Sequence, residues 1–134
     1  MKHPRHAILQ EEIGLDHCIE NEYATLYFYG SFVVTEVNEG VSLSLKTGIH
    51  LLIKSISYLG SRPIVLISNR INSYAVKPVD YKYLNSLPIL KGIGIVYHSE
   101  EGKRNAELEA NFCSKPLRTF SSIDDAYEWT KTLL

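Results

Sequence analysis

Several features are scarce in this sequence, and each scarcity excludes a class of protein. The two cysteines, Cys18 and Cys113, form no C-x-x-C pair, so free thiols are expected and a disulfide is the minor alternative. No apolar run approaches the roughly 18 residues of a membrane span, and the one after the basic start is too short for a signal peptide. A formal net charge of −1 offers no cationic surface for nucleic acid. These absences predict a cytoplasmic protein.

The length and composition of the chain are those of one globular domain. The chain has 134 residues, of which 45% are hydrophobic and 22% are charged. That length and composition are typical of a single folded domain and exclude extended disorder. No repeat, low-complexity tract or linker divides the sequence. We therefore expect one domain over residues 1–134.

The hydrophobic pattern changes its period along the chain. Over residues 5–30 it predicts short antiparallel strands joined by tight turns. Over 41–59 apolar residues recur every three or four positions, which predicts a helix that ends before Gly60. The members of this stripe are Leu45, Ile49, Leu52, Ile53, Ile56 and Leu59.

Three strand–helix units are predicted after that helix. The strands lie at 63–68, 92–97 and 117–120, and the helices at 78–87, at 100–113 and from 123 onward, with Ser99 and Ser121 or Ser122 as caps. Crossovers of one hand make such strands parallel. The predicted fold class is therefore α/β, a mixed sheet whose N-terminal antiparallel strands are followed by parallel βαβαβα units.

A set of segments over residues 23–134 carries a family resemblance. It comprises the strand at 63–68, the run Gly92-Ile93-Gly94-Ile95-Val96, a helix with Arg104 and Ala106, and an ending with Phe112, Pro116, Phe120 and Ser122-Ile123-Asp124-Asp125-Ala126-Tyr127-Glu128-Trp129. The combination resembles STAS domains related to the sporulation anti-sigma-factor antagonist, in the branch called SpoIIAA-like. The resemblance implies a non-enzymatic regulatory or protein-interaction module, and some relatives are discussed as lipid or small-ligand carriers.

The resemblance also implies a modification site. In the anti-sigma-factor antagonists, a partner kinase phosphorylates the serine of an Asp-Ser pair that follows the central strand. The matching positions here are Asn72-Ser73 or, less well, Ser68, and the aspartate is absent. Ser73 is therefore the candidate phosphorylation site.

Polar residues follow two of the predicted parallel strands and form the candidate binding site. Ligands of open α/β sheets gather beyond the carboxyl ends of such strands. The guanidinium of Arg70 can pair with a phosphate or carboxylate, and a helix beginning at Ser99 can offer backbone donors to an anion. The alternative is a polar loop that satisfies its own backbone. The candidate residues are Ser68, Asn69, Arg70, Asn72, Ser73, Tyr74, His98 and Ser99.

No catalytic residue, metal ligand or cofactor is predicted. Ser73, His98 and Asp80 make only a nominal triad, because the G-x-S-x-G motif is missing. The five histidines are scattered without metal-ligand spacing. Gly92 and Gly94 lack the third glycine of a dinucleotide motif, and we expect them to permit close packing.

Two modes of partner recognition remain open. The first is a protein partner on a face made by the loop 68–74 and the helix 78–87, where Tyr74, Tyr81 and Tyr83 form either an exposed patch or a lid on the core. The second is a small apolar or anionic ligand, with an apolar one held between the sheet and the helix at 41–59. A homodimer is also expected, because a small sheet has edges to protect.

Overall fold

The first half of the fold is an antiparallel meander. The computed structural model describes residues 14–41, 45–71 and 76–134, without the side chains of 45–47 and 49. Strands β1 (His17–Glu20), β2 (Ala24–Tyr29) and β3 (Phe32–Val37) pair in sequence order. Gly30 forms the β2–β3 turn with a φ of 67°, a conformation that glycine adopts without a steric penalty. The strand predicted before residue 14 lies outside the described residues.

The second half alternates helices with parallel strands. β3, β4, β5 and β6 are parallel neighbours, and the sheet has six strands in the order β1-β2-β3-β4-β5-β6. The predicted mixed sheet is therefore confirmed. The elements that follow β3 are α1 (Leu45–Leu59), β4 (Ile64–Arg70), α2 (Pro78–Asn85), β5 (Leu90–Tyr97), α3 (Glu100–Glu109), β6 (Leu117–Phe120) and α4 (Ile123–Thr130).

The helices divide unequally between the two faces of the sheet. On the three-helix face, Leu51 of α1, Tyr81 of α2 and Ala106 of α3 pack on the strands. On the opposite, one-helix face, Ala126 of α4 packs on strand residues such as Ile67. Successive strand residues point to opposite faces, so each strand contributes to both layers.

Two local predictions about the first half need correction. Pattern analysis missed β3, although all six of its residues are buried. It missed β3 because the apolar run at 32–34 is short and Thr35 and Glu36 follow it, so the segment shows neither alternation nor the longer apolar run that is typical of a strand buried on both faces. The buried face of α1 also differs from the predicted apolar stripe. Leu51, Ser55 and Leu59 are buried, whereas Ile53 and Ile56, both members of the predicted stripe, are exposed.

The predicted helix boundaries are mostly confirmed. Gly60 follows α1 with a φ of 62°, and its N–H donates to the Ile56 carbonyl. Ser99 and Ser122 cap α3 and α4, since each hydroxyl accepts a backbone N–H three residues on. Helix α3 is shorter than predicted, because its regular part ends at Glu109.

The glycines of β5 permit close packing, as predicted. A β-carbon at Gly92 would lie 2.4 Å from Leu133 Cδ1 and 3.2 Å from the Pro116 carbonyl oxygen. One at Gly94 would lie 3.4 Å from Phe120 and 3.5 Å from Trp129. Both glycines therefore let α4 and the end of the chain approach the one-helix face closely.

Two further features bear on the sequence predictions. Cys18 and Cys113 are free and partly buried, and burial raises the pKa of both thiols. In the part of the chain that the structure describes, no helix combines the length and apolar character needed to cross a membrane.

Candidate functional site

The end of β4 supplies polar groups to both faces of the sheet. The strand closes with Ser68, Asn69 and Arg70, all of them buried. Their partners show that Ser68 and Arg70 lie on the three-helix face and that Asn69 lies on the one-helix face. This is the alternation that a strand imposes. The carboxyl edge of the parallel sheet therefore carries two polar clusters instead of one.

The first cluster is a buried ion pair, which we call the Arg70 cluster. The Arg70 guanidinium binds the Glu109 carboxylate in bidentate fashion, with Nη2 at 2.6 Å from Oε1 and Nη1 bonded to Oε2. The Tyr81 hydroxyl donates to Oε1 at 2.6 Å, and Arg70 Nε donates to the Ser68 hydroxyl at 3.1 Å. Arg70, Glu109 and Tyr81 are each at most 4% exposed. Such a bidentate, hydrogen-bonded pair is the geometry that compensates for burying charge.

The positions of Glu109 and Tyr81 in the fold explain how each side chain interacts within the Arg70 cluster. Glu109 ends α3, where the helix dipole disfavours a negative charge, so the Arg70 cation offsets an unfavourable placement. Burial and then the Glu109 carboxylate raise the pKa of the Tyr81 phenol, which therefore keeps its proton at neutral pH. The cluster joins the end of β4 to α2 and to α3.

A cavity of about 180 Å³ adjoins the Arg70 cluster on the three-helix face. It lies between the sheet and helices α1 and α2, whereas the sequence prediction put an apolar ligand between the sheet and the helix at 41–59 alone. Leu51 and Leu52 wall it from α1, and Leu66 and Ile93 form part of its floor. The polar residues of its boundary, among those that the structure describes, are Thr35, Ser55, Ser68, Arg70, Asp80 and Tyr81. Apolar walls with a few placed polar groups are typical of small-molecule sites.

The second cluster is a polar row on the one-helix face. Asn69 Nδ2 donates to Glu36 Oε2 at 2.9 Å, and Asn69 Oδ1 lies 2.7 Å from His98 Nε2. The row joins β3, β4 and the end of β5. Burial and then the nearby Glu36 carboxylate raise the pKa of Tyr27 and Tyr29 to about 12. Both phenols therefore stay protonated at neutral pH.

The predicted binding residues thus fall into separate groups. Ser68 and Arg70 meet in one cluster, and Asn69 and His98 meet in the other. Ser99 belongs to neither described cluster, since its hydroxyl accepts the Gly102 N–H at 3.0 Å as the cap of α3. Asn72, Ser73 and Tyr74 lie outside the described residues, and so does the phosphorylation prediction at Ser73.

Sequence reasoning missed the two side chains that complete the Arg70 cluster. Glu109 lies far along the chain, and no local pattern pairs it with Arg70. Tyr81 was predicted only as one of three tyrosines that form either an exposed patch or a lid on the core. In α2, each alternative holds for one of the two described tyrosines. Tyr81 is buried, whereas Tyr83 is 44% exposed. An acidic residue near the C-terminal end of the helix predicted at 100–113 was the available signal, because a carboxylate there needs a cation nearby.

Described in this way, the chain is an α/β domain with a SpoIIAA-like fold, as the sequence predicts. It aligns with the crystal structure of an uncharacterized protein of the DUF3478 family, with a SpoIIAA-like fold, from Shewanella loihica PV-4. The TM-score is 0.53 at 11% sequence identity, over 85% of this chain and 90% of that one. At this identity the likeness concerns the fold. No family model matches the chain, and no curated protein matches it.

Proposed function

We propose that this chain is a non-catalytic domain that binds a small, mostly apolar ligand in the cavity of the three-helix face. The cavity itself is the observation that carries the proposal, because a well-packed interior has few voids larger than a water molecule. An engineered apolar cavity of about 150 Å³ binds benzene. A space of about 180 Å³ therefore suits one ring or a short alkyl chain.

The polar groups beside the cavity support binding without turnover. Arg70 has no proton to give up at neutral pH, and the raised pKa of Tyr81 keeps this phenol protonated and makes it a poor acid. Glu109 already accepts hydrogen bonds from both of them. The cluster can therefore orient a bound molecule, but its proton-transfer groups are engaged.

Toluene is a suitable first probe of the cavity. We expect saturable amide shifts in the protein NMR spectrum at Leu51, Leu66 and Ile93, which line the cavity. Leu52→Trp fills the space from α1 and should abolish the shifts. Ile53→Trp is the matched control, because Ile53 is the next residue of the same helix and is 54% exposed.

Two results would contradict the proposal. The first is the absence of saturable shifts in the unmodified protein. The second is toluene binding that survives Leu52→Trp as well as it survives Ile53→Trp, because the ligand would then lie elsewhere.

A protein-interaction role is the second candidate, and the surface of α2 supports it. Val79 and Tyr83 lie one turn apart on this helix and are 54% and 44% exposed. Aromatic residues are enriched where proteins meet. This surface is part of the working face that the sequence predicts at 78–87.

The interaction role can be tested by capture from the native host. A stoichiometric partner should be retained by the unmodified protein and lost from Val79→Asp/Tyr83→Asp. Leu134→Asp is a matched control, since Leu134 is another exposed apolar residue near the end of the chain. Equal retention by both variants would count against this role for α2.

Two narrower predictions accompany this role. The homodimer would use the described edge strands β1 or β6, and a monomer mass at micromolar concentration in light scattering would contradict it. Phosphorylation at Ser73 would add one phosphate to the intact mass of protein from the host, and Ser73→Ala would remove it.

A further inference from the structure

The hydroxyl groups on the cavity boundary differ in whether the protein itself satisfies them. Resting on the proposed function, we infer that the ligand is an apolar molecule with one hydrogen-bonding oxygen, and that the hydroxyl of Thr35 recognises this oxygen. A hydroxyl that already has partners in the protein is less available to a ligand, so the partners of each hydroxyl decide which one can bind it. Among the described residues of the boundary, those with a hydroxyl are Thr35, Ser55, Ser68 and Tyr81.

The hydroxyls of Ser55, Ser68 and Tyr81 are engaged within the protein. Ser55 donates to a backbone carbonyl oxygen of its own helix at 2.7 Å. Ser68 and Tyr81 both take part in the Arg70 cluster, where Ser68 accepts a hydrogen bond and Tyr81 donates one. The protein therefore fixes the direction of these groups before a ligand binds.

Thr35 of β3 differs from them. It lines the cavity and is 7% exposed, and no hydrogen bond joins its hydroxyl to any group in the part of the chain that the structure describes. Its strand neighbours are Leu26 of β2 and Ser68 of β4, so it lies within the floor of the cavity. Buried hydroxyls are nearly always hydrogen-bonded, so the molecule that fills the cavity has to supply the partner.

The neighbours of Thr35 along β3 show what its hydroxyl adds. Val33 and Val37 lie two residues away on either side, point to the same face and are buried in its core. A valine at position 35 would continue this apolar row without a group that needs a partner. The hydroxyl can donate one hydrogen bond and accept others, so it can pair with a hydroxyl or carbonyl oxygen of the ligand. A pure hydrocarbon would leave it unsatisfied, at a cost in free energy of binding.

The sharpest test compares phenol with toluene, because the two share one ring and differ by a hydroxyl in place of a methyl group. Thr35→Val keeps the shape of the side chain and removes its hydroxyl. We expect the ratio of the phenol affinity to the toluene affinity to fall by about threefold to tenfold in this variant, the factor that one neutral hydrogen bond supplies. NMR titrations of the cavity residues measure both affinities.

Thr25→Val is the matched control for this titration. Thr25 is also a buried strand residue, but it pairs with Glu36 and so lies on the one-helix face. The same chemical change there should leave the ratio of affinities as it is in the unmodified protein.

Urea unfolding of Thr35→Val without any ligand gives an independent readout. A buried hydroxyl that has no partner in the protein does not stabilise the fold, so this variant should be at least as stable as the unmodified protein. A clear loss of stability would show that the hydroxyl is hydrogen-bonded within the protein, and would overturn the inference.

The outcomes of the titrations separate this inference from the proposed function. A ratio that Thr35→Val leaves unchanged, or that Thr25→Val lowers equally, overturns the role of Thr35 while saturable toluene binding still supports the cavity. Phenol that fails to bind where toluene binds overturns it as well. If neither probe binds, the proposed function fails, and the inference fails with it.

Discussion

On the one-helix face, a methyl group at Gly92 of β5 would meet the Trp129 ring of α4 as well as the Leu133 side chain and the Pro116 carbonyl. On the three-helix face, the same sheet and helices α1 and α2 leave a cavity of about 180 Å³. The strands are shared, and their alternate residues serve the two layers. The difference therefore comes from the helices and from the side chains they present.

Under the proposed function, the one-helix face contributes to stability through close packing, whereas the three-helix face keeps space for a ligand. Close packing maximises dispersion contacts and fixes one arrangement, whereas a void forfeits contacts and leaves room for another molecule. The cavity lies beside the Arg70 cluster, whose side chains are hydrogen-bonded to one another before any ligand binds. A preorganised site loses less free energy to ordering when a ligand binds.

The largest expected effect comes from breaking the ion pair beside the cavity. Glu109→Gln removes the charge that compensates Arg70, and uncompensated buried charges cost about 3–5 kcal/mol. Urea unfolding would measure the loss in free energy of unfolding. Glu107→Gln is the control, because this residue is exposed on the same helix and its change should stay within about 0.5 kcal/mol. Equal losses in the two variants would show that the pair contributes little.

The next effect tests the close packing of the opposite face. Gly92→Ala places a β-carbon 3.2 Å from a backbone carbonyl oxygen and 2.4 Å from Leu133 Cδ1. Overpacking of this kind costs about 1–3 kcal/mol, and the mobility of a leucine tip favours the lower part of that range. Gly14→Ala is the control, since nothing lies within 4 Å of its β-carbon position. A stability of Gly92→Ala as high as that of the control would mean that the chain around Gly92 packs less tightly than described.

A smaller effect compares the two faces directly with one chemical change. Ile67 is fully buried on the one-helix face, and Ile93 borders the cavity on the other. Ile→Val costs about 0.5–1.5 kcal/mol, and the cost depends on how many contacts the lost methyl group made. We expect Ile67→Val near the top of this range and Ile93→Val near the bottom. Thermal unfolding of both variants would show the difference, and the reverse order would contradict the contrast between the faces.

The two halves of the fold differ in how well their secondary structure can be predicted from the sequence. The second half was predictable because Pro, Gly and Ser mark its boundaries: Ser99 and Ser122 cap helices, and Gly60 ends one. β3 was not, because its apolar run at 32–34 is short and Thr35 and Glu36 follow it, so the segment shows neither alternation nor the longer apolar run that marked β4. Its pairing with β4 is a long-range contact that no local pattern encodes.

The candidate site was predictable only in its location. The rule that ligands gather at the carboxyl ends of parallel strands led to Ser68, Asn69 and Arg70. It did not show that Asn69 and Arg70 point to opposite faces, because the predicted strand ended at 68, whereas β4 continues to Arg70 and its residues alternate between the faces. The bond between Arg70 and Glu109 spans 39 residues, so only the folded chain reveals it.

The smallest expected effect concerns the attachment of α1, the helix that walls the cavity. Tyr58 of α1 donates a hydrogen bond to the Asp16 carboxylate and stacks on His17 with ring centroids 4.0 Å apart. Asp16 also accepts the Gly30 N–H at 2.6 Å. Partial burial alone would raise the pKa of Asp16, but these hydrogen bonds and the Arg62 charge lower it below its usual range.

The sign of the pH dependence follows from that lowered pKa. The unfolded chain binds a proton at Asp16 near the usual aspartate pKa of about 4, whereas the folded chain does so only at lower pH. Its contribution to stability is therefore present above pH 4 and is lost as the pH falls through the folded pKa. Solvent screening limits the effect to below about 1 kcal/mol. Asp16→Asn should remove this part of the acid dependence in urea unfolding at pH 3 and pH 7, and an unchanged difference between the two pH values would exclude Asp16 as its source.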